Sequence, residues 1–136
     1  MIQIIFGKKG SGKTKRIIDL ANDSVNNTKG DIVFVDDDNR YMFDLRHEIR
    51  FINAKEYGIS TPKMFTGFIA GLIASNYDIS QIFIDGFLRI TNAELSLLKP
   101  FLDVLKTLCE KGHVNVILSI SGDPDTVPEF FKEYII

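Results

Sequence analysis

Short apolar runs alternate along the chain with segments in which apolar residues recur at helical spacing. Residues 2–6 form a run rich in β-branched side chains that stops at Gly7. After a glycine-rich stretch, apolar residues recur three and four positions apart, at Ile17, Ile18, Ala21 and Val25. The pattern predicts a strand, a loop and an amphipathic helix that ends within residues 26–30.

Two more strands and a helix are predicted before the middle of the chain. Residues 31–35 form an apolar run that closes on three aspartates, and residues 49–53 predict a shorter strand. Thr61 followed by Pro62 is typical of a helix start, with Thr as the N-cap and Pro at the first helical position. Apolar residues then recur at helical spacing as far as residues 76–78.

The second half of the chain predicts two further strands and a long helix. Residues 81–84 are typical of a central strand, and an aspartate and a glycine follow it. Residues 91–94 have the form of a capping box, which predicts that a helix begins there and ends at Gly112. Pro100 is expected to kink or split that helix near Leu98.

The last elements complete an alternation of strands and helices. Residues 114–120 predict the final strand, and Pro128 begins a short C-terminal helix through Tyr134. The alternation predicts an α/β fold with right-handed crossovers, in which helices cover both faces of a mostly parallel sheet of about five strands. We therefore expect one domain over residues 1–136, built as a three-layer α/β/α sandwich with its ligands at the carboxyl ends of the strands.

Composition and charge narrow the classes of function. Hydrophobic residues make up 45% and charged residues 25% of the 136 residues, which indicates a folded globular domain and excludes a disordered chain. The net charge of -2 argues against binding nucleic acid by bulk electrostatics. The longest uncharged stretch, residues 64–77, is too short and too polar to span a bilayer. A single cysteine, Cys109, and no leader-like start predict a cytoplasmic protein.

The segment between the first strand and the first helix carries the clearest chemistry. It matches the pattern G-x-x-x-x-G-K-[S/T] with Gly7, Lys8, Lys9, Gly10, Ser11, Gly12, Lys13 and Thr14. The glycines let the backbone curl so that successive N–H groups point at phosphate oxygens, and the helix that follows presents its positive end to the same anion. Lys13 is expected to contact the β- and γ-phosphates, and Thr14 offers a hydroxyl to Mg²⁺. With the adjacent Lys15, these residues predict a binding site for a nucleotide and Mg²⁺.

Two segments resemble the motifs of the P-loop NTPases. Residues 7–14 resemble the Walker A motif, and residues 82–85 resemble the Walker B strand. The resemblance implies a P-loop NTPase fold in which Asp85 holds the Mg²⁺ of bound ATP. The wider chain, through Ser119-Ile120-Ser121, resembles a group of small bacterial ATP-binding proteins sometimes labelled twitching-motility ATPases.

The residues around these motifs favour slow hydrolysis of a bound nucleotide. Gly86 stands beside Asp85, where many RecA-like ATPases carry a glutamate that polarises the attacking water. Ser121 is expected to act as a γ-phosphate sensor if the last strand neighbours the first, and the alternative is a serine that satisfies loop backbone. No Asn-Lys-x-Asp segment follows the last strand, which favours ATP over GTP. The leading hypothesis is therefore an Mg²⁺-dependent ATP-binding protein with slow or partner-stimulated hydrolysis.

Two alternatives remain open at this point. One is a nucleotide-dependent binding module without useful turnover, acting on a protein partner or on a second copy of the chain. The other is a small-molecule kinase whose acceptor lies near Asp36, Asp38 and Arg40, although these residues also fit a solvated acidic turn. Arg89 fits a surface role best, and Arg89 and Arg40 are the candidate arginine fingers if the chain self-associates.

Overall fold

The structure, a computed structural model, describes the whole chain from Met1 to Ile136. Its strands are β1 (Ile2–Gly7), β2 (Asp31–Asp36), β3 (Ile49–Asn53), β4 (Ile79–Ile84) and β5 (Asn115–Ser121). Its α-helices are α1 (Lys13–Asn27), α2 (Pro62–Ser75), α3 (Phe87–Thr91) and α4 (Lys99–Gly112). Short 3₁₀ turns lie at Met42–Asp44, Ala54–Tyr57, Leu95–Leu97, Pro124–Thr126 and Glu129–Tyr134.

The five strands form one parallel sheet in the order β1-β5-β4-β2-β3. The predicted parallel sheet of about five strands is confirmed. β5 lies between β1 and β4, and its register with β1 sets Ser121 beside Gly7. Because all strands are parallel, the glycine-rich loop after β1 and the segments after β2, β4 and β5 meet at one edge of the sheet.

Helices cover both faces of the sheet, which confirms the three-layer α/β/α sandwich. On one face, α2, α3 and α4 pack over the larger apolar cluster, together with Phe131 of the C-terminal 3₁₀ turn. On the other face, Ile17, Ile18 and Ala21 of α1 pack against Phe34, Phe83 and Ile117 of the strands. Burial on both faces explains why the strands read as nearly continuous apolar runs and not as alternating ones.

The predicted start of α2 is confirmed in detail. The Thr61 side chain accepts a hydrogen bond from the backbone N–H of Met64 at 3.1 Å, and Pro62 is the first helical residue. This cap satisfies one of the N–H groups that the first turn of a helix leaves without a partner.

The predicted capping box at residues 91–94 is wrong. Thr91 ends α3, where its hydroxyl donates to the carbonyl of Phe87 at 2.9 Å, and Asn92 then turns the chain at a φ of 50°. Glu94 makes no capping hydrogen bond. The long helix begins at Lys99, because Pro100 lacks an N–H and fits the first turn of a helix better than its middle. The expected break near Leu98 is therefore confirmed as a split.

Two local differences matter less for the architecture. The C-terminal helix predicted from Pro128 to Tyr134 is a 3₁₀ turn, Glu129–Tyr134. The five-residue helix α3 was not predicted, because it is too short to show helical spacing. No helix in the structure combines the length and the apolar character that a bilayer crossing requires.

Candidate nucleotide site

The glycine-rich loop, residues 7–14, curls between β1 and α1. Gly10 and Gly12 have φ angles of 82° and 90°, a conformation that side-chain-bearing residues rarely adopt. The backbone N–H of Ser11 donates to the carbonyl of Lys8 at 3.1 Å, and the Lys13 ammonium donates to the same carbonyl at 2.8 Å. Lys13 therefore folds back across the loop and helps to hold its curl.

A cavity of about 490 Å³ opens beside this loop, and we call it the loop cavity. Its lining comes from the glycine-rich loop with Lys15, from the segment after β4, from β5 and from Tyr41: Lys9, Gly10, Gly12, Lys13, Thr14, Lys15, Tyr41, Asp85, Gly86, Phe87, Leu88, Arg89, Ser119 and Ser121. Asp85 is the one carboxylate among these lining residues, whereas four are lysine or arginine. The loop cavity is thus suited to an anionic ligand.

Asp85 lies where the glycine-rich loop, β4 and β5 come together. Its carboxylate accepts a hydrogen bond from the hydroxyl of Thr14 at 3.0 Å and another from the hydroxyl of Ser119. Ser119 in turn accepts from the backbone N–H of Gly86 at 3.3 Å. Two predicted metal-site residues, Thr14 and Asp85, are therefore in direct contact although far apart in sequence. A hydroxyl beside a buried carboxylate is the oxygen donor set that suits Mg²⁺.

The pKa of the Lys13 ammonium is shifted by burial and by two charged side chains that line the loop cavity. Burial lowers the pKa of the Lys13 ammonium, the nearby Asp85 carboxylate opposes that shift, and the positive charge of Arg89 adds to it. Two cations and one carboxylate thus interact through this cavity. Binding of a polyanionic phosphate group would relieve the repulsion between the cations.

Arg89 is held at the end of β2 by a bidentate ion pair. Its Nε and Nη2 atoms donate to the Asp37 carboxylate at 3.0 and 3.2 Å, and Nη2 lies 3.9 Å from Asp36 Oδ1. The Arg89 side chain is half exposed, as expected for a surface residue, and it also lines the loop cavity of its own chain.

Gly86 suits both the backbone at this point of the chain and the space that the Arg89 guanidinium occupies. Its φ is 69°, and a Cβ at this residue would lie 2.5 Å from Nη2 of Arg89. A side chain at residue 86, such as the glutamate that many RecA-like ATPases carry there, would need a backbone conformation that such residues rarely adopt and would displace the Arg89 guanidinium from its present position. The glycine therefore has a structural cause that the sequence did not reveal.

Asp36 is the last residue of β2 and Asp37 follows it, and the pKa values of their carboxyl groups are shifted in opposite directions. Burial raises the pKa of Asp36 to about 8, and hydrogen bonding to Asp37 and the negative charge of Asp85 add to this rise. Burial also raises the pKa of Asp37, but hydrogen bonds from Arg89 and Asp36 outweigh it, so the pKa lies below its ordinary value. Near neutral pH, Asp36 is therefore mostly protonated, and Asp37 carries the charge that pairs with Arg89.

The remaining predicted residues lie around the loop cavity at different depths. Ser121 and Lys9 line it, whereas Gly7, Lys8 and Ser11 face a second depression of about 380 Å³ beside the loop. The ammonium of Lys15 pairs with Asp19 at 2.9 Å on the exposed side of α1, so this residue lies at the rim.

Asp38 and Arg40 lie outside the loop cavity, although Tyr41 lines it. The Asp38 carboxylate accepts from the backbone N–H of Arg40 at 2.9 Å, and neither side chain lines the cavity. Asp36 is 1% exposed and also does not line it. The three residues of the expected acceptor site are therefore not brought together around one opening.

Three contributors to the site were missed from the sequence. Ser119 was named within the wider resemblance without a role of its own, and its contact with Asp85 depends on β5 lying next to β4. Asp37 was not singled out, because its partner Arg89 lies beyond the next strand of the sheet. Tyr41, which lines the loop cavity, carried no signal that could have singled it out.

Comparisons with known proteins bear on the fold. No protein-family model matches the chain, and no curated protein matches it. Among solved structures, it is similar to the flagellar accessory protein FlaH from Methanocaldococcus jannaschii, with a TM-score of 0.57 and 14% sequence identity. The match covers 97% of this chain and 65% of the FlaH chain, so this chain spans less than two thirds of that protein. Together with the sheet topology, this similarity shows that the protein shares with FlaH an α/β fold, built here as a five-stranded parallel sheet between two layers of helices.

Proposed function

We propose that the protein binds Mg²⁺ and ATP in the loop cavity and hydrolyses the ATP slowly, or faster when a partner completes the site. The observation that carries this proposal is the convergence of the Lys13 ammonium, the Thr14 hydroxyl and the Asp85 carboxylate beside the glycine-rich loop. In this proposal, residues 7–14 act as a Walker A motif and residues 82–85 as a Walker B strand. We also propose that the protein is related to the small bacterial ATP-binding proteins that its sequence resembles. We further propose that it acts in the cytoplasm, a compartment that suits a chain with a single cysteine.

Each residue of the site has a defined part in this proposal. The backbone N–H groups of the glycine-rich loop and the N-terminus of α1 bind the phosphates, and Lys13 places a charge against the β- and γ-phosphates. Thr14 and Asp85 hold Mg²⁺, which neutralises phosphate charge when it is bound. Ser121, which lies beside Gly7 in the sheet and lines the loop cavity, is positioned as the γ-phosphate sensor. ATP is preferred over GTP because Ser121-Gly122-Asp123-Pro124 follows the last strand in place of a guanine-binding segment.

A binding module without useful turnover is the second candidate. It is favoured by Gly86 and by the lack of any carboxylate other than Asp85 among the residues that line the loop cavity. In this case ATP and ADP would switch affinity for a protein partner or a second copy of the chain, and Mg²⁺ and Lys13 would serve binding alone. Phosphate release distinguishes the two candidates.

The binding part of the proposal is tested at Lys13. We expect Lys13→Ala to weaken ATP binding about tenfold or more, because the variant cannot form a charged hydrogen bond in a partly buried loop. Calorimetric titration with ATP in the presence of Mg²⁺ measures the change, and thermal unfolding checks that the variant is folded. Lys106→Ala removes the same charge from the exposed face of α4 and is expected to bind ATP as the unaltered protein does. Equal affinity in the Lys13 variant would overturn the phosphate-binding role of the loop.

The metal part is tested at Asp85 and Thr14. We expect Asp85→Asn to lose most of the increase in ATP affinity that Mg²⁺ causes, since the carboxylate is proposed to act through the metal. Titrations with ATP are compared with Mg²⁺ and with EDTA. Thr14→Ser keeps the hydroxyl and is expected to retain the Mg²⁺ effect, whereas Thr14→Val is expected to lose part of it. If Mg²⁺ raises affinity equally in the Asp85 variant and the unaltered protein, Asp85 does not hold the metal.

A further inference from the structure

The ion pair between Arg89 and Asp37 lies at the edge of the loop cavity. It joins the segment after β4 to the end of β2, and its guanidinium lines the same cavity as Lys13 and Asp85. The Arg89 side chain is half exposed, whereas the side chain of Asp37 is 9% exposed. The carboxylate is therefore the fixed part of the pair, and the guanidinium faces open space.

Arg89 keeps hydrogen-bond donors that the protein does not use. Nε and Nη2 donate to Asp37, whereas Nη1 donates to no protein atom. A guanidinium has more N–H donors than one carboxylate accepts, and its second edge has the geometry that binds phosphate oxygens. Asp37 thus orients Arg89 while it leaves donors free for a ligand.

Two further observations link Arg89 to the part of the loop cavity that is proposed to bind the phosphates. The charges of Arg89 and Lys13 are close enough to influence each other, and Lys13 is the residue proposed to contact the β- and γ-phosphates. Gly86 leaves the space that the guanidinium occupies, since a Cβ there would overlap Nη2. The glycine therefore leaves room for the guanidinium in its present position beside the loop cavity.

Resting on the proposed function, we propose that Arg89 binds the terminal phosphate of a nucleoside triphosphate and that Asp37 is the positioning residue that holds it there. The site then distinguishes a triphosphate from a diphosphate within one chain, without an arginine supplied by a neighbour. Arg89 contributes to ATP affinity through the γ-phosphate and has little effect on ADP, which lacks that group.

The test compares affinity for a non-hydrolysable ATP analogue with affinity for ADP, both with Mg²⁺. We expect Arg89→Gln to lower the ratio of the two affinities by about tenfold, because the substitution removes charged hydrogen bonds to the terminal phosphate alone. Arg50→Gln, which removes an exposed arginine from edge strand β3 outside the loop cavity, is the matched control and should leave the ratio unchanged. An unchanged ratio in Arg89→Gln overturns the inference.

The positioning role of Asp37 is tested by a double-mutant cycle. We expect Asp37→Asn to lower the ratio in the unaltered background and to leave it unchanged in the Arg89→Gln background. The double variant D37N/R89Q keeps the net charge and replaces the ion pair with two amides, so it also serves if Arg89→Gln alone fails to fold. Equal effects of Asp37→Asn in both backgrounds would show that Asp37 does not act through Arg89. If the unaltered protein binds neither nucleotide, the proposed function fails as well, whereas ATP binding with an unchanged ratio in the Arg89 variants removes this inference alone.

Discussion

Purified protein is expected to release phosphate from ATP at about 10⁻⁴ to 10⁻² per second, the range of P-loop sites that are not completed. A partner that supplies a group to orient and deprotonate the attacking water is expected to raise the rate by a factor of about 10² to 10⁴. The physical reason is that the proposed ligands stabilise the transferring phosphoryl group, whereas no carboxylate other than Asp85 lines the loop cavity to orient and deprotonate the attacking water.

The carboxylates near the loop cavity explain the missing base. Asp85 accepts hydrogen bonds from Thr14 and Ser119 and is the proposed metal ligand. Asp36 is buried and mostly protonated near neutral pH, since its pKa is raised to about 8. Asp37 is occupied by Arg89. Gly86 leaves no side chain next to Asp85, so none of these positions supplies a free carboxylate for water.

A phosphate-release assay under single-turnover and steady-state conditions measures the rate, with Lys13→Ala as the control for contaminating ATPases. Activity above about one per second that is independent of protein concentration would show that a base is already present. Activity that rises with protein concentration would indicate that a second copy completes the site, and Arg40→Ala then tests the candidate arginine finger that lies outside the loop cavity. Phosphate transferred to an added small molecule would instead favour a kinase.

Asp36→Asn is expected to make the protein more stable at pH 8, by up to about 5 kcal/mol, because the pKa of Asp36 is raised from 3.8 to about 8. The folded-state pKa of Asp36 is raised by burial to about 8, far above the value of an unfolded aspartate. The folded protein therefore binds this proton more tightly, so its stabilising effect is complete below about pH 4 and is lost as the pH rises through about 8. The asparagine amide resembles the protonated carboxyl group and does not ionise, so the variant avoids this loss.

Two contacts make the substitution conservative. Asp36 Oδ1 accepts a hydrogen bond from the backbone N–H of Asp37 at 2.8 Å, and an asparagine oxygen can accept the same bond. The ionised Oδ2 is buried without a donor, whereas the protonated Asp36 side chain donates to Asp37; an amide NH₂ in that place can donate to the same carboxylate and removes a charge whose burial costs free energy.

Urea unfolding between pH 5 and pH 9 measures the effect as the difference in the free energy of unfolding between variant and unaltered protein. The difference is expected to grow as the pH rises. Asp38→Asn makes the same change at a less buried residue and is expected to show a small difference at every pH. A variant less stable than the unaltered protein at pH 8 would mean that Asp36 is ionised in the folded state and that its charge is compensated.

The order of strands and helices could be predicted from the sequence because it depends on local patterns. β3 was predicted with its observed bounds, Ile49–Asn53, and the start of α2 at Pro62 followed from a cap that its neighbours alone define. The same kind of local evidence was wrong at residues 91–94, where a capping-box pattern lies between two helices. There, Pro100 and the packing of α4 on the sheet decide where the helix begins.

The candidate site likewise has parts that could be predicted from the sequence and parts that could not. The glycine-rich loop and the closeness of Thr14 to Asp85 were accessible, since the carboxyl ends of parallel strands must share one edge of the sheet. The partners of Asp85 and Arg89 were not accessible. Ser119 reaches Asp85 because β5 lies beside β4, and Asp37 holds Arg89 because β2 lies on the other side of β4. Strand order is decided by how the whole chain packs, and buried apolar runs look alike whichever neighbour they pair with.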